Sequence, residues 1–364
     1  MDLPVVELEP YLEARGSQPL PENVRNSCLE VAKCLREAGA LVLRDPRCTP
    51  EDNDRFLNMM ERYFGMADEF KRQQERRHLH YQVGVTPEGV EVPRCALDKD
   101  LQARMEKIPD SEKPRMPVGA DPKWRYMWRV GPRPANTRFK EFNADPVVPE
   151  GFPDWIEVMD GWGRKMIAAV EVKASLFSFL SLTLSKTFVC IDCCRDGCDW
   201  IWPSSRRIHI LDVSGSDLSK FTEEGSVFAG YHYDLNFLTI HGRSRFPGLN
   251  IWLKQGQKLL VRVPPGCLLV QAGKELEWLT GGECSAGMHE VIVTKETIAA
   301  AEAAKQAGRS LWRVSSTVFG HIASDAILQP LGHFASAQAA KNYPATLAGD
   351  YVESELAAIR LKTA

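Results

Sequence analysis

Two hydrophobic periods divide this chain. Up to about residue 184 the apolar positions recur mainly at helical spacing, and beyond about residue 207 they fall into short extended runs. From Glu22 to Ala38, the residues Val24, Cys28, Val31, Ala32 and Leu35 predict one helix face, and Gly39 stops it in the manner of a C-cap. Ala40–Leu43 reads as a strand closed by Pro46, and residues 2–9 suit a short edge strand. Pro50 opens a second helix whose inner stripe is Phe56, Met59, Met60, Tyr63 and Phe64. The strongest helix prediction spans Asp154–Leu184, with a wide apolar face that begins at Trp155, Val158, Met159 and Trp162. Between Lys71 and Pro153 the chain is charged and rich in proline and arginine. It reads as loops and short strands laid over a core, because Trp124, Tyr126, Trp128, Phe139 and Phe142 need burial.

The later strands are Ile208–Leu211, Gly230–Ile240, Leu249–Leu253, Leu259–Val263, Cys267–Gln271, Val291–Val293 and Trp312–Phe319. Turns such as Pro247-Gly248, Pro264-Pro265-Gly266 and Gly281-Gly282 separate them. Short strands at this spacing predict a sandwich or jelly roll. One alanine-rich helix, Glu296–Ala307, interrupts them between a Thr294 cap and Gly308, and Asp350–Leu361 is expected to pack outside as a last helix. The expected organisation is mainly β with α: an N-terminal α/β region (1–200), a jelly-roll core (201–325) and a helical tail (326–364) in one compact catalytic unit.

One strand breaks its own pattern. Within the apolar Gly230–Ile240 run stand His232 and Asp234, two residues apart, so on an extended chain they project to the same side. A carboxylate beside an imidazole in apolar surroundings is costly unless something pairs with both, and a divalent metal is the economical partner.

Bulk composition narrows the setting. With 45 basic and 48 acidic residues the net charge is −3, which offers no field for nucleic acid or anionic lipid. No apolar run reaches membrane-spanning length, and the N-terminus has no signal-peptide pattern, so a cytoplasmic, soluble protein is expected. The ten cysteines then read as reduced thiols rather than a disulfide framework. Four of them cluster as Cys190, Cys193, Cys194 and Cys198, a spacing that could hold zinc or an iron–sulfur centre but equally suits an ordinary reduced loop.

A third metal ligand must come from a distant strand. His289 follows a Gly-rich turn and precedes a strand, 57 positions beyond His232. Two imidazoles and one carboxylate leave open positions on the metal, the arrangement that suits non-haem Fe(II) activating O2. Taken alone the three residues would be read as satisfied core groups. Arg313 and Ser315 change that reading: they share one face of a later strand, and a guanidinium fork with a hydroxyl suits the distal end of a small dicarboxylate. Iron and such an anchor together point to 2-oxoglutarate as co-substrate. In Trp124–Val130, Arg125 and Arg129 alternate with aromatics and are candidate contacts for a small, acidic substrate, although solvated ion pairs would explain them too.

Taken together, these segments resemble the isopenicillin N synthase-like members of the Fe(II)/2-oxoglutarate-dependent dioxygenases. The resemblance rests on Leu3–Leu8, Glu37–Leu43, Tyr63-Phe64 with Lys71, His232-Tyr233-Asp234 with Leu238-Thr239, Val263–Gly266, Gln271–Gly273, Thr280–Gly282, His289, and Arg313-Val314-Ser315 with Phe319. It implies a double-stranded β-helix core, cupin-like and flanked by helices. It further implies that His232, Asp234 and His289 are iron ligands, that Arg313 and Ser315 hold 2-oxoglutarate, and that a small molecule is hydroxylated, desaturated or cyclised with release of succinate and CO2. The chain departs from the family at the upstream Asn-x-Tyr, where His209 and Leu211 are aligned, and after the distal histidine, where Glu290 stands. Arg309 is a rival anchor without a hydroxyl two residues on. An oxidase that uses O2 without 2-oxoglutarate, a catalytically idle metal-binding jelly roll, and a zinc or redox module on Cys190–Cys198 stay open. Substrate identity and oligomeric state are not legible.

Overall fold

The computed structural model describes residues 3–14, 21–134, 136–184 and 207–361, with side chains described outside 170–184 and 207–208. Twelve strands form two sheets: β1 (Val5–Glu7), β2 (Ala40–Arg44), β3 (Gly84–Thr86), β4 (Trp124–Val130), β5 (Arg207–Asp217), β6 (Val227–His232), β7 (Leu238–His241), β8 (Leu249–Trp252), β9 (Lys258–Leu260), β10 (Cys267–Ala272), β11 (Met288–Ile292) and β12 (Trp312–Ile322). The major sheet has eight strands in the order β1-β2-β10-β7-β12-β5-β4-β3, and the minor sheet has four in the order β6-β11-β8-β9. Only β1–β2 is parallel; every other pairing in these sheets is antiparallel. Consecutive strands such as β6, β7 and β8 alternate between the sheets, as the jelly-roll reading requires.

The helices cover one face of the major sheet. Glu22–Glu37 and Pro50–Phe64 form where the apolar periodicity places them. Gly39 takes a φ of +67° at the first helix's end, and Thr49 with Asp52 forms a capping box at the start of the second. The long helix Trp155–Leu184 lays Trp155, Met159, Trp162 and Met166 on the same core, with Tyr63, Tyr126, Phe152 and Trp155 meeting edge to face. Gly215 on β5 lets Phe64 approach, since a Cβ there would lie 2.5 Å from the ring. Lys71 is buried, donating to the Phe64 carbonyl at 3.0 Å with its ammonium over the Trp124 and Trp312 rings.

Two expectations need correction. The 71–153 stretch is not merely laid over the core: β4 is a full seven-residue strand of the major sheet, paired with β5 along its length. Its aromatics alternate into the helix-covered core and force Arg125, Met127 and Arg129 onto the opposite face. Likewise the terminal helix, Ala348–Ala358, buries Tyr351 and Leu356 and closes a cavity instead of lying outside. The Cys190–Cys198 cluster lies outside the described residues.

Candidate metal centre and its two cavities

His232 ends β6, and His289 on β11 is its direct cross-strand partner. Asp234 lies just beyond β6, in the link to β7. Two contacts fix that link: Lys274 donates its backbone N–H to the Asp234 carbonyl (2.8 Å), and the Thr239 hydroxyl donates to Asp234 Oδ2 (2.7 Å). The register of two strands and one pinned loop thus brings together residues 57 positions apart.

The imidazoles are oriented from behind. Nδ1 of His232 lies 2.6 Å from the Gly230 carbonyl, and Nδ1 of His289 lies 3.4 Å from that of Gly287. With the proton on Nδ1, each Nε2 turns a lone pair toward Asp234, at 3.7 Å from Oδ1 and 3.8 Å from Oδ2 respectively. One ligand atom from each residue falls within 4.8 Å of the others, and the ring centroids are 4.1 Å apart. Burial, reinforced by the neighbouring His232, pushes His289 down to about 4; burial also lowers His232. Burial alone would raise Asp234, but His289, His232, His241 and the Thr239 hydroxyl hold it below the usual carboxylate range. Two neutral imidazoles and an ionised carboxylate converging on one point are a donor set for a divalent cation of intermediate softness.

Two cavities meet at this triad. The first, of about 380 Å³, runs from His232, Asp234 and His289 to Arg313 and Ser315 on β12. Arg313 is buried, donating Nη1 to the Ser315 hydroxyl (2.8 Å) and Nε to the Pro247 carbonyl (3.2 Å). No carboxylate lies within 4.0 Å of its guanidinium among the described residues, and burial pushes its pKa down to about 10. The rival Arg309 is exposed and lines neither cavity. Between the triad and Arg313 sits His241, which sequence reasoning missed. Its Nδ1 lies 3.2 Å from the Thr317 hydroxyl and its Nε2 2.8 Å from Gln271 Oε1, and burial pushes it down to about 4. The only hint of it was that Thr239 and His241 alternate with the apolar Leu238 and Ile240.

The second cavity, of about 160 Å³, lies across the triad from Arg313 and is closed by Val352, Glu355 and Leu356 of the terminal helix and by Ile359 just beyond it. Lys123, Asp212, His232, Asp234 and Phe319 line both cavities. Arg125 lines this one; Arg129 does not, donating instead to the Phe142 carbonyl (3.1 Å). Around Arg125 lies a buried charge cluster: Arg125–Glu91 at 3.2 Å, Lys123–Asp121 at 2.7 Å and Lys123–Glu91 at 3.5 Å. Burial pushes Asp212 up to about 7, against the pull of Arg125.

Of the residues aligned with the family's Asn-x-Tyr, Leu211 is buried in the helix-covered core and neither it nor His209 lines a cavity. The cavity-facing positions are Asp212 and Ser214, opposite Thr317 and Ser315 on β12. Glu290 faces away from the triad and is satisfied by the Arg115 N–H (3.1 Å) and the Asn250 amide (3.2 Å).

Residues 219–322 match the model of the 2OG-Fe(II) oxygenase superfamily, a span that contains the triad, Arg313 and Ser315. No curated protein matches the chain. Among solved structures, a protein from Caulobacter crescentus assigned to the 2OG-Fe(II) oxygenase family superposes with a TM-score of 0.71 at 19% identity, covering 98% of each chain. A full-length Neurospora crassa protein, solved in complex with alpha-KG, gives 0.69 at 14% identity over 98% of this chain and 96% of that one. The rice dioxygenase for auxin oxidation gives 0.60 at 14% identity over 98% and 95%. At these identities the likeness is one of fold.

Proposed function

We infer that this chain, which carries a 2OG-Fe(II) oxygenase domain, is a non-haem Fe(II)- and 2-oxoglutarate-dependent dioxygenase that oxidises a small molecule. The observation that carries the co-substrate is Arg313, a buried guanidinium without a carboxylate partner among the described residues, facing the same cavity as the His-Asp-His cluster. An enzyme that brought no anionic ligand into this cavity would leave that charge uncompensated.

In this reading His232, Asp234 and His289 would hold Fe(II), and Arg313 with Ser315 would hold the distal carboxylate of 2-oxoglutarate. Bound there, the iron supplies oxidative decarboxylation of the co-substrate to succinate and CO2 with O2, coupled to oxidation of a substrate C–H bond. The chain's own part is placement. The Gly230 and Gly287 carbonyls keep the Nδ1 protons and so keep both Nε2 lone pairs free. Thr239 fixes the Asp234 carboxylate, and Gln271 with Thr317 orients His241, which burial keeps neutral, beside the co-substrate's path. The second cavity, sharing the triad's wall and shut by the terminal helix, would take the primary substrate and shield it from water.

The test is spectroscopic first. Protein loaded anaerobically with Fe(II) should develop the weak visible band of a keto-acid chelate when 2-oxoglutarate is added, and should form succinate when O2 is admitted. Absence of the band in the wild type refutes the co-substrate, and a band that survives Asp234→Ala refutes the ligand assignment.

A further inference from the structure

Among the described residues, buried polar atoms of Glu91, Arg94, Asp121, Arg125, Asp212 and Asn236 in the second cavity have no hydrogen-bond partner, and of these residues Arg125 and Asp212 stand on adjacent strands of one sheet face. Arg125 on β4 stands opposite Ser214, and Asp212 on β5 stands opposite Met127. The two are therefore diagonal neighbours on one face of an antiparallel pair, where Cβ atoms lie about 7–8 Å apart. Arg125 forms an ion pair through Nη1 with Glu91, but its Nε and Nη2 are buried without a hydrogen-bond partner among the described residues, and so is Oδ1 of Asp212. No ion pair within 4.0 Å joins Arg125 to Asp212 among the described residues. Burying a donor edge and an acceptor within one small space is costly unless a third party satisfies both.

The charges of the cluster do not cancel. Glu91, Asp121 and Asp212 lie beside Lys123 and Arg125, three carboxyl groups against two cations, while Arg94, which also lines the cavity, is committed to Asp98 and Glu355. Lys123 is already committed to Asp121 and Glu91. Asp212 is the acid left over. The remaining wall joins apolar Met127, Ile210, Leu235, Phe319 and Leu356 to polar Gln82, Asn236 and His321 and the Arg94–Glu355 pair. At about 160 Å³ the space is well below that of pockets for drug-sized ligands.

We propose that the primary substrate is a small nitrogen compound that presents an N–H donor to Asp212 and, beside it, an oxygen acceptor to Arg125. Amides and amino acids both have this arrangement. A plain carboxylic acid would meet Arg125 and set its charge against Asp212. A plain amine would meet Asp212 and leave the guanidinium edge bare, and a hydrocarbon would satisfy neither. This rests on the dioxygenase reading for the word substrate, whereas the recognition itself rests on the cavity.

Paired carbon isosteres separate these cases. Calorimetric titrations, run anaerobically on the protein loaded with Fe(II) and 2-oxoglutarate, would compare 2-pyrrolidinone with cyclopentanone and L-proline with cyclopentanecarboxylate. At least one nitrogen probe should bind tenfold or more tighter than its isostere; the lactam winning indicates a neutral amide, proline a zwitterion. Arg125→Met and Asp212→Leu should each reduce that preference below threefold, and Arg125→Met should do so while the visible band with 2-oxoglutarate persists. The proposal falls if neither nitrogen probe is preferred in the wild type, a comparison needing no variant, or if the preference survives both substitutions. A wild-type band without the preference overturns this inference alone, and a preference without the band overturns the dioxygenase reading alone.

Discussion

Replacing Arg313 by methionine should have opposite effects on the two states of the protein. Burial brings the Arg313 pKa from 12.5 to about 10. At 1.36 kcal/mol per unit, holding the charge in the ligand-free fold costs about 3 kcal/mol. The sign follows from linkage: the unfolded chain binds the proton more firmly, so the penalty is complete at every pH below about 10. Methionine removes it and fills similar space. Both of its hydrogen bonds go with it, but the Pro247 carbonyl keeps a donor in the Thr297 hydroxyl at 3.2 Å, so the uncompensated loss is the bond to Ser315, worth about 1 kcal/mol. The ligand-free variant should thus gain about 2 kcal/mol, or about 2–3 °C in melting temperature for a chain of 364 residues. Co-substrate binding moves the other way. Losing one partner of a buried, charge-assisted pair costs about 2–5 kcal/mol, so the Kd for 2-oxoglutarate should rise about 30-fold to several thousand-fold. Scanning calorimetry reads the first effect, and titration of the visible band the second. A Kd within about threefold of wild type, or a ligand-free variant that melts several degrees lower, would refute the reasoning.

Acid should unfold the metal-free protein early. His241 and His289 fall from an ordinary 6.5 to about 4 in the fold, so below pH 6.5 the unfolded chain takes up protons that the folded chain refuses. Stability should drop between about pH 6.5 and 4, by up to about 3 kcal/mol per histidine, and urea midpoints at pH 7.5 and 5 that coincide would contradict this. Gly215→Ala should destabilise by about 1–3 kcal/mol in urea unfolding, because its Cβ meets the Phe64 ring at 2.5 Å. Glu355→Gln should loosen the second cavity's cover, since Glu355 is paired with Arg94, which also holds Asp98 at 3.0 Å. Amide exchange across Ala348–Ala358 should quicken, with the Fe(II)–2-oxoglutarate band unchanged.

The elements themselves were legible because each carries a strong local signal. The caps at Thr294 and Gly39, the stripe of Pro50–Phe64, and the His-x-Asp intrusion all reappear where the residues place them. Less legible was which side of a strand is inside. In β4, β5, β7 and β12 the polar residues alternate with apolar ones, the pattern that a half-solvated sheet also writes. Here the polar face, with Arg125, Asp212, Ser214, His241, Arg313 and Ser315, lines the interior cavities, and helices cover the apolar face. Period-2 alternation fixes parity but not the sign of exposure. That ambiguity hid His241 and Lys123. It also drew attention to His209 and Leu211 on β5, whereas the residues of that strand that face the cavities include Asp212 and Ser214. Arg125 and Arg129 share parity yet part in function, because position along a tilted strand decides which of them reaches the triad.

The strand order also explains how one scaffold can keep its co-substrate while changing its substrate. The dicarboxylate anchor is on β12 and the proposed substrate contacts are on β4 and β5, with the triad between them. β5 lies between β12 and β4 in the sheet, and its residues serve both sides: Ser214 faces Ser315 across one pairing and Arg125 across the other. Asp212 stands at the junction, lining both cavities. Substitutions on β4 or in the terminal helix can therefore reshape the second cavity without touching Arg313 or Ser315. Substitutions at Asp212 cannot be confined in this way, because its carboxyl also lies in the field of Asp234. The residue that would select the substrate thus also lies beside the metal triad, and changes there should alter substrate choice and the spectrum of the iron together.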